Sequence, residues 1–228
     1  MIVRAVSRSE CAEFIERAHY AKRWPSVSLA FGLIDGPTIV GVVTYGTPSS
    51  APLRSGVCGG EYASKVVELN RLCIVGGARN AASMLVGRSL RMVGDAVVVS
   101  YADTAAGHVG YVYQATNWIY TGLSAKRTDW TIEGEEHLHG QTIADRYRGV
   151  EDRAAAIRAD YGDRFYLRPR PRKHRYVFFA GCKRFRRAAR RALRYPVEQY
   201  PKGDTSRHTH GLASADVQPR QQSLLGLC

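Results

Sequence analysis

The sequence predicts an α+β fold in which a central sheet is flanked by helices, with a basic helix near the C-terminal end. Two strand-like runs, 27–34 and 38–45, are joined by Asp35-Gly36-Pro37, a hairpin signal that makes part of the sheet antiparallel. The apolar run 96–101 is typical of a buried central strand. A chain of 228 residues has room for one substantial core, so we expect a single domain.

The N-terminal part predicts a strand, a helix, the hairpin and then a loop. Residues 2–6 alternate as a strand does, and Ser7 or Ser9 can cap a helix lined by apolar residues between 11 and 18. Residues 46–61 are rich in Gly, Ser and Pro, which predicts a long irregular loop. Loops of this length are usually functional or mobile, and this one could close over the crevice of the sheet.

Residues 66–75 predict a strand with a polar face. Its apolar side chains alternate with Glu68 and Asn70, while Arg71 lies out of phase. Further polar groups follow the buried strand at 96–101. All of them fall at or just past strand ends, where the crevice of an open sheet lies. The candidates for this crevice are Glu68, Asn70, Arg71, Ser100, Asp103 and His108.

Residues 76–79 (Gly-Gly-Ala-Arg) predict a turn that leads into a helix. Asn80 can cap this helix, whose apolar positions include Ala81, Met84 and Leu85. The free N–H groups of a helix that follows a strand point at the carboxyl end of the sheet, which suits an anion such as phosphate. Many such turns bind no ligand, so this feature alone leaves a purely structural role open.

The second half predicts further helices and strands. Residues 107–120 contain glycines followed by polar and aromatic residues, where a second helix would leave the sheet. Residues 130–132 predict a short strand and 151–161 an amphipathic helix. A late strand at 175–180 follows a proline-rich basic run, and 183–194 predict a basic helix with a thin apolar stripe.

The net charge of +13 is concentrated in one segment. Residues 1–163 carry 17 basic and 17 acidic residues, whereas 164–202 carry 14 basic residues and the single acid Glu198. A neutral body with a concentrated basic segment is expected of a protein that binds a phosphate backbone. The thin apolar stripe makes membrane insertion the weaker interpretation. The expected phosphate contacts are Arg170, Arg172, Lys173, Arg175, Lys183, Arg184, Arg187 and Arg191.

Cysteine usage and hydropathy indicate a cytoplasmic protein. The five cysteines are scattered without a C-x-x-C pair, which favours free thiols over disulfides or a zinc site. No run reaches the ~18 apolar residues that would cross a bilayer, so we expect no membrane partner. His137 and His139 favour a solvated loop over a metal site, since no further ligand lies at suitable spacing. Residues 203–228 are polar and predict a disordered tail.

The predicted order of strands and helices resembles the GNAT acyltransferase fold, whose central sheet is mixed and mostly antiparallel. In that fold the helix N-terminus after the fourth strand binds the pyrophosphate of coenzyme A. Residues 76–83 occupy the corresponding position here. The resemblance therefore implies acetyl-CoA or a related acyl donor as cofactor. The implied cofactor-binding residues are Arg79, Asn80, Ala81 and Ser83.

An ordered set of motifs across residues 1–202 is similar to the Mom family of bacteriophage DNA-modification proteins. The motifs are Glu68-Leu69-Asn70-Arg71-Leu72, Ser100-Tyr101-Ala102-Asp103, Gly107-His108-Val109-Gly110, Tyr113-Gln114-Ala115-Thr116-Asn117-Trp118, Arg175-Tyr176 and Tyr200-Pro201-Lys202. The resemblance implies a transferase that converts adenine in DNA to an N6-carbamoylmethyl adenine and so protects phage DNA from host restriction. It implies double-stranded DNA as the partner, an acyl donor and an iron ion. No feature indicates an obligate protein partner.

The expected roles of the site residues follow from their chemistry. Asp103 is the first choice for a general base or a carboxylate that orients a metal, and Tyr113 for an acid or hydrogen-bond donor. Tyr113 could instead be a core aromatic. His19, Tyr20 and His108 are the expected iron ligands, because imidazole and oxygen donors suit iron. A packed helix terminus is the alternative for the first two.

Two other functions stay open. The first is a GNAT-type N-acetyltransferase acting on a protein or small amine, which would have no use for the arginine-rich segment 164–194. The second is a non-catalytic DNA-binding protein, which would leave Glu68, Asn70, Arg71 and Asp103 without a role. A DNA adenine transferase accounts for both features, and it would flip the target base out of the stack to reach N6.

Overall fold

The computed structural model describes residues 1–18, 26–76 and 78–203. None of the helices in these ranges has the length and hydropathy needed to cross a bilayer. In chain order the strands and helices are β1 Ile2–Ala5, α1 Arg8–Ala18, β2 Leu29–Asp35, β3 Thr38–Gly46, α2 Ala51–Cys58, β4 Val66–Ile74, α3 Ala81–Ser89, β5 Ala96–Asp103, α4 Tyr111–Ala115, β6 Ile119–Leu123, β7 Arg127–Ile132, α5 Gly140–Asp145, α6 Arg153–Tyr161, β8 Phe165–Arg170, β9 Lys173–Ala180 and α7 Lys183–Arg191.

The central sheet has seven strands in the order β1-β2-β3-β4-β5-β9-β6. Every neighbouring pair is antiparallel except β4 and β5, which run parallel. The predicted α+β class is therefore confirmed, with a mixed, mostly antiparallel sheet flanked by helices and a basic C-terminal helix. The order of elements is the one that the resemblance to the GNAT fold implies.

Helix α1 begins where two side chains satisfy free N–H groups. The Ser7 hydroxyl accepts a hydrogen bond from the N–H of Glu10 at 3.2 Å, and the Glu10 carboxylate accepts one from the N–H of Ser7 at 2.7 Å. This reciprocal arrangement is a capping box. Of the two predicted caps, Ser7 is therefore the one used.

Alternation along the strands gives the sheet two faces. One face, here called the α3 face, packs against α3 and α4 in a core that includes Leu69, Val98 and Tyr113. The other, the α7 face, packs against α2 and α7 in a core that includes Val97 and Ala189. Successive residues of β4 and β5 therefore alternate between two separate environments.

Residues 124–172, here called the insert module, lie between β6 and β9. Strands β7 and β8 form a separate two-stranded antiparallel sheet with α5 and α6 beside it. The core of the module consists of Ile132, Ile143, Ile157 and Phe165. The module leads into β9 at Lys173, which pairs with Asp103 at the end of β5. It is therefore attached at the carboxyl end of the buried strand.

The chain returns across the sheet after α7. The N–H of Arg194 donates to the carbonyl of Val57 at 2.9 Å, and the Tyr200 hydroxyl donates to the carbonyl of Trp118 at 2.5 Å. This returning segment is therefore part of the packed fold. Residues 204–228 of the predicted tail lie outside the described residues.

The prediction of an irregular loop at 46–61 is wrong. Helix α2 and a 3-10 turn over Gly60–Lys65 occupy most of that stretch. The Ser50 hydroxyl accepts from the N–H of Leu53 at 3.2 Å, and Pro52 lies in the first turn of α2. Serine and proline here begin a helix, because both are also favoured at helix N-termini.

The prediction that Asn80 caps α3 is also wrong. Asn80 precedes the helix in the left-handed region, with φ of 61°, and its side chain makes no capping hydrogen bond. A side-chain cap requires an extended backbone at this position. The turn is instead closed by a hydrogen bond from the N–H of Ala81 to the carbonyl of Ala78 at 3.2 Å.

The sequence pattern predicts neither β6 nor β8. Strand β8 contains Pro169 between Arg168 and Arg170, which together resemble a basic loop. A proline is tolerated there because β8 pairs with β7 alone in its two-stranded sheet, so one edge of the strand needs no donor.

A substitution at Gly46 tests how closely β3 approaches residue 26. A Cβ at this position would lie 1.7 Å from the carbonyl oxygen of Ser26. We expect Gly46→Ala to lower the free energy of unfolding by about 1–3 kcal/mol, because the backbone must move. Urea denaturation followed by circular dichroism measures this. Gly60→Ala is the matched control, since nothing lies within 4 Å of its added Cβ, and equal midpoints for the two variants would contradict the close approach.

Candidate active site

The parallel pairing of β4 and β5 is short. Residues 66–68 pair with 97–99, whereas β4 continues to Ile74 and β5 to Asp103. The backbone ladder therefore joins only part of each strand. Toward their carboxyl ends the two strands present side chains to each other instead of backbone hydrogen bonds.

Ser100 bridges the two strands at the end of this ladder. The side chain is buried, and its hydroxyl oxygen lies 2.9 Å from the Leu69 carbonyl oxygen and 2.7 Å from the Tyr113 hydroxyl oxygen. A carbonyl oxygen can only accept, so the single Ser100 proton goes to Leu69 and the Tyr113 hydroxyl donates to Ser100. This arrangement fixes the proton of Tyr113 at the end of the ladder.

Aromatic neighbours hold Tyr113 in place. Its ring centroid lies 5.1 Å from that of Trp118 and 5.1 Å from that of Tyr176. Gly110 precedes α4 with φ of 79°, and a Cβ there would lie 2.5 Å from the Tyr176 ring. Tyr113 is therefore a core aromatic and also a positioned hydroxyl, so the two interpretations from sequence are compatible.

On the α7 face, the ladder ends beside a carboxyl group. Alternation places Glu68 and Tyr101 on this face, next to the valines of its core. Burial raises the pKa of Glu68, and the charges of Arg71 and Lys173 offset only part of this effect. Burial, together with the charge of Glu68, also raises the pKa of Tyr101 to about 12. Both groups therefore lie where negative charge is disfavoured.

A carboxyl group with a raised pKa is suited to proton transfer, because its pKa lies closer to the operating pH. Glu68 therefore meets the requirement for a general base. Tyr101 is not among the site residues predicted from the sequence. The available signal was its alternation with Asp103, which puts both on one face of β5.

Asp103 ends β5 and already has two partners. Its carboxylate accepts from Lys173 Nζ at 2.9 Å and from the N–H of Ala105 at 3.0 Å. Partial burial acts to raise the pKa of Asp103, but the hydrogen bonds and charge of these partners outweigh it and lower the pKa overall. A carboxylate held in this way is a weak base and better suited to orienting a group.

Asn70 and Arg71 shape the strand beside Glu68. The Asn70 side chain donates to the Ser26 carbonyl at 2.7 Å and accepts from the Thr44 hydroxyl at 2.6 Å. Arg71 donates to the carbonyl of Asn70 at 2.7 Å and lowers the pKa of Glu68 through its charge. Asn70 is therefore engaged in the fold, whereas Arg71 also acts on the candidate base.

A cavity of about 250 Å³ lies between Asp103 and the insert module. It is lined by Asp103, Ala105, Asp129, His139, Arg170, Pro171 and Lys173. Asp129 accepts two hydrogen bonds from Arg170, at 2.6 and 3.0 Å. His139 Nδ1 accepts from the N–H of Gln141 at 3.0 Å and caps α5, and both His137 and His139 are exposed just before this helix, in agreement with the solvated-loop interpretation.

The predicted anion site lies at the N-terminus of α3. Arg79 and Asn80 are exposed there, and Ala81 is buried. The Ser83 hydroxyl donates to the carbonyl of Asn80 at 3.0 Å, and the first turn has no acidic side chain. An exposed guanidinium at a helix N-terminus without a competing carboxylate suits a pyrophosphate.

Of the three predicted iron ligands, the structure describes His108 alone. His108 is half-buried beside Asp103, whose carbonyl accepts a hydrogen bond from its backbone N–H at 3.0 Å. His19 and Tyr20 lie outside the described residues. Within the described ranges, no three His, Cys, Asp or Glu side chains are close enough together to hold a metal ion.

The eight predicted phosphate contacts fall into two groups. Four are exposed on α7, namely Lys183, Arg184, Arg187 and Arg191. The other four contact groups of the protein itself. Their partners are Asp129 for Arg170, the Leu123 carbonyl for Arg172, Asp103 for Lys173 and Thr121 for Arg175.

Helix α7 lies on the same face of the sheet as Glu68. Its predicted apolar stripe packs on the α7-face core, so its basic side points to solvent. Beyond the helix, the Tyr195 ring lies over Arg175, with 3.5 Å from the guanidinium carbon to the ring centroid. Arg175 pairs in register with Tyr101 on β5. The segment that follows α7 therefore contacts Arg175, which lies next to Tyr101 on the face of the sheet that carries Glu68.

Comparison with solved structures gives weak similarity to N-acetyltransferases. The ribosomal-protein-S18-alanine N-acetyltransferase from Escherichia coli is 8% identical, with 79% of this chain and 94% of that chain covered and a TM-score of 0.43. The spermidine/spermine N-acetyltransferase SpeG from Vibrio cholerae is 11% identical, with 78% and 91% covered and a TM-score of 0.44. At these scores the alignments establish nothing about substrate or mechanism, and the fold assignment rests on strand pairing.

Sequence comparison is more specific. The chain is 29% identical over 195 residues to "Methylcarbamoylase mom" of Escherichia phage Mu, which covers 82% of this chain and 78% of the relative. The model of the Mom protein family matches residues 1–202. Because this match spans most of the 228 residues, the chain belongs to the Mom protein family.

Proposed function

We propose that this chain is a transferase that modifies adenine in phage DNA, converting it to N6-carbamoylmethyl adenine and so protecting the DNA from host restriction. The relative in phage Mu is named a methylcarbamoylase, which supports this reaction class. The observation that carries the proposal is the end of the β4–β5 ladder. A half-buried carboxyl group of raised pKa, Glu68, lies on one face of the sheet there and a positioned hydroxyl, Tyr113, on the other.

The target atom explains the need for a base. The N6 amino group of adenine is a poor nucleophile, because its lone pair is delocalised into the ring. When the new N–C bond forms, the amino group must lose a proton. Ionised Glu68 accepts that proton, and its raised pKa makes it a stronger base than an exposed glutamate. This assignment replaces Asp103, whose pKa is lowered by its partners.

Tyr113 and Asp103 have supporting roles in this mechanism. The Tyr113 hydroxyl lies 2.7 Å from the Ser100 hydroxyl at the end of the ladder, and rotation of its O–H toward the bound donor would let it protonate the departing group. The Asp103–Lys173 pair lies at the end of β5 on the same face of the sheet as Glu68, and it would orient polar groups of the target adenine. Neither residue needs to change its protonation state before substrate binds.

The acyl donor fits the N-terminus of α3. Arg79 and the N–H groups of the first turn would hold a pyrophosphate, because the turn offers a cation and no acidic side chain. Because a carbamoylmethyl group is joined to N6 through its CH2 carbon, the bound donor would have to be an acyl-derived compound of the form X–CH2–C(O)NH2, from which N6 displaces X. Acyl transfer from acetyl-CoA itself would give N6-acetyladenine. Helix α3 follows β4, so such a donor lies next to the end of the ladder.

Double-stranded DNA would lie along the α7 face. The exposed cations of α7 bind phosphates without reading sequence. Glu68 is half-buried and could not reach an amino group inside a stacked duplex. The target adenine must therefore be flipped out of the stack to enter the site.

Nucleoside mass spectrometry of DNA from cells that express the protein tests the reaction. The wild-type chain is expected to give an adenosine derivative whose added mass is that of a carbamoylmethyl group. Glu68→Gln is expected to lower its yield by about 100-fold or more, because the base is lost. Asp103→Ala should lower it as well, through loss of orientation.

Glu61→Gln is the matched control, because Glu61 is an exposed glutamate just before β4. Unchanged adenosine with a folded, soluble wild-type protein would refute DNA modification and favour an N-acetyltransferase of small amines or proteins. Full activity of Glu68→Gln with none in Asp103→Ala would return the role of base to Asp103.

The pH dependence of stability tests the environment of Glu68. Because its pKa is raised in the folded state, the protonated form is favoured there. The stability that protonated Glu68 contributes is fully present at pH values below the pKa of Glu68 in the unfolded chain. It is lost as pH rises through the higher pKa of Glu68 in the folded protein. The glutamine of Glu68→Gln is neutral at every pH. The free energy of unfolding of this variant should therefore rise relative to that of wild type as pH increases between the unfolded-state and folded-state pKa values of Glu68. Urea denaturation at a series of pH values measures this, and a difference independent of pH would contradict a raised pKa.

A charge comparison tests the DNA contact of α7. The double variant Arg184→Gln/Arg187→Gln should bind duplex DNA with a smaller salt dependence. If both residues contact phosphates, the slope of log affinity against the logarithm of the salt concentration should decrease in magnitude by about 1.8. Fluorescence anisotropy with a labelled duplex gives the slope. Arg88→Gln with Arg91→Gln removes the same charge at the end of α3, where both residues are exposed. Equal slopes for the two double variants would exclude α7 as the docking helix.

A further inference from the structure

One face of the hairpin β7–β8 carries charged and aromatic residues. In the antiparallel register, Arg127 lies opposite Arg170, Asp129 opposite Arg168 and Thr131 opposite Tyr166. Opposed residues share a face, and so do alternate residues along each strand. Tyr166, Arg168 and Arg170 therefore form a row on one face of β8, here called the hairpin strip.

The hairpin strip begins at the candidate active site. Arg170 and its partner Asp129 line the same cavity as Asp103 and Lys173. Residues two apart on a strand are separated by about 7 Å, so Tyr166 lies about 13 Å from Arg170 along the strand. The strip thus extends outward from the cavity over a distance that spans several nucleotides.

The strip is not needed to cover the core of the insert module. The opposite face of the hairpin supplies Trp130, Ile132 and Phe165 to that core. Tyr166 is 40% exposed, and Arg168 is also exposed. Within the described residues, Tyr166 is therefore a large aromatic left in solvent beside a cation, close to a cavity that holds site residues.

The electrostatics of the strip favour a polyanion. Arg170 neutralises Asp129 through its two hydrogen bonds, which leaves the charges of Arg168 and Arg127 available. Arg127 lies near enough to Tyr101 to act on the pKa of that residue, so positive charge extends to the candidate active site. Exposed aromatic rings beside arginines stack on nucleic-acid bases, whose faces all suit such a contact.

We propose that the hairpin strip binds the DNA strand that flanks the target adenine, with Tyr166 stacked on an unpaired base and Arg168 at a backbone phosphate. The proposal rests on the proposed function, because a flipped adenine leaves neighbouring bases partly unstacked and accessible. Helix α7 then holds the duplex, and the insert module holds the opened strand. The two contacts differ in chemistry, because α7 offers cations alone and the hairpin strip offers an aromatic ring beside a cation.

The test measures binding of a labelled single-stranded oligonucleotide to the full-length protein by fluorescence anisotropy, which requires no modification to occur. Tyr166→Ala is expected to weaken binding about tenfold, with an unchanged salt slope, because it removes stacking and no charge. Tyr166→Phe should bind as wild type does. Arg168→Gln should reduce the salt slope by about 0.7, the value for one phosphate on a single strand.

Matched controls come from the same module. Val150→Ala removes another exposed apolar side chain, and Arg148→Gln removes another exposed arginine, and neither lies on the strip. Neither should change binding. Circular dichroism on each variant checks that the insert module stays folded, and Tyr166→Phe separates loss of the ring from loss of the hydroxyl.

The outcomes separate this proposal from the proposed function. If wild type binds the oligonucleotide, Tyr166→Ala binds it poorly and no modified adenosine forms, the strip stands and the reaction assignment fails. If modified adenosine forms but Tyr166→Ala and Arg168→Gln bind like wild type, the strip proposal is overturned. It is also overturned if Tyr166→Ala alters only self-association in sedimentation velocity, since the strip would then contact a second copy.

Discussion

The short parallel ladder between β4 and β5 is the constraint on which the site depends. Because backbone pairing stops after Glu68 and Val99, the remaining parts of both strands must satisfy their polar groups in other ways. The Ser100 hydroxyl does so for the Leu69 carbonyl and in turn receives the proton of Tyr113. The interruption of regular structure therefore positions the Tyr113 hydroxyl on one face of the sheet and leaves the half-buried Glu68 carboxyl group on the opposite face.

Burial and charge act against each other around this interruption. Glu68 is in surroundings that raise its pKa, whereas Asp103 has partners that lower its pKa. Two carboxyl groups on one sheet face therefore have pKa values shifted in opposite directions, by burial for Glu68 and by bound partners for Asp103. Lys173 contributes to both effects, because it pairs with Asp103 and its charge also acts on Glu68.

The basic segment has two structural roles. On α7 the cations point to solvent, since the apolar stripe of the helix is used for packing on the sheet. Between β8 and β9 the arginines instead hold the insert module to the central sheet, as Arg170 does with Asp129 and Arg172 with the Leu123 carbonyl. A high local density of arginine therefore serves both an external surface and the internal attachment of a module.

The sequence by itself determined the hairpin, the buried strand, the capped first helix and the basic helix, because each follows from periodicity or turn chemistry within a few residues. It also indicated Glu68 and Asp103 as polar groups near strand ends, and Tyr113 as a candidate acid or hydrogen-bond donor. The tertiary structure alone decided which carboxyl group has the raised pKa and which arginines are internal, because both depend on partners far apart in sequence, such as Lys173 beside Asp103. Local patterns also misled at 46–61 and Asn80, where the same residue types serve loops and helix ends alike.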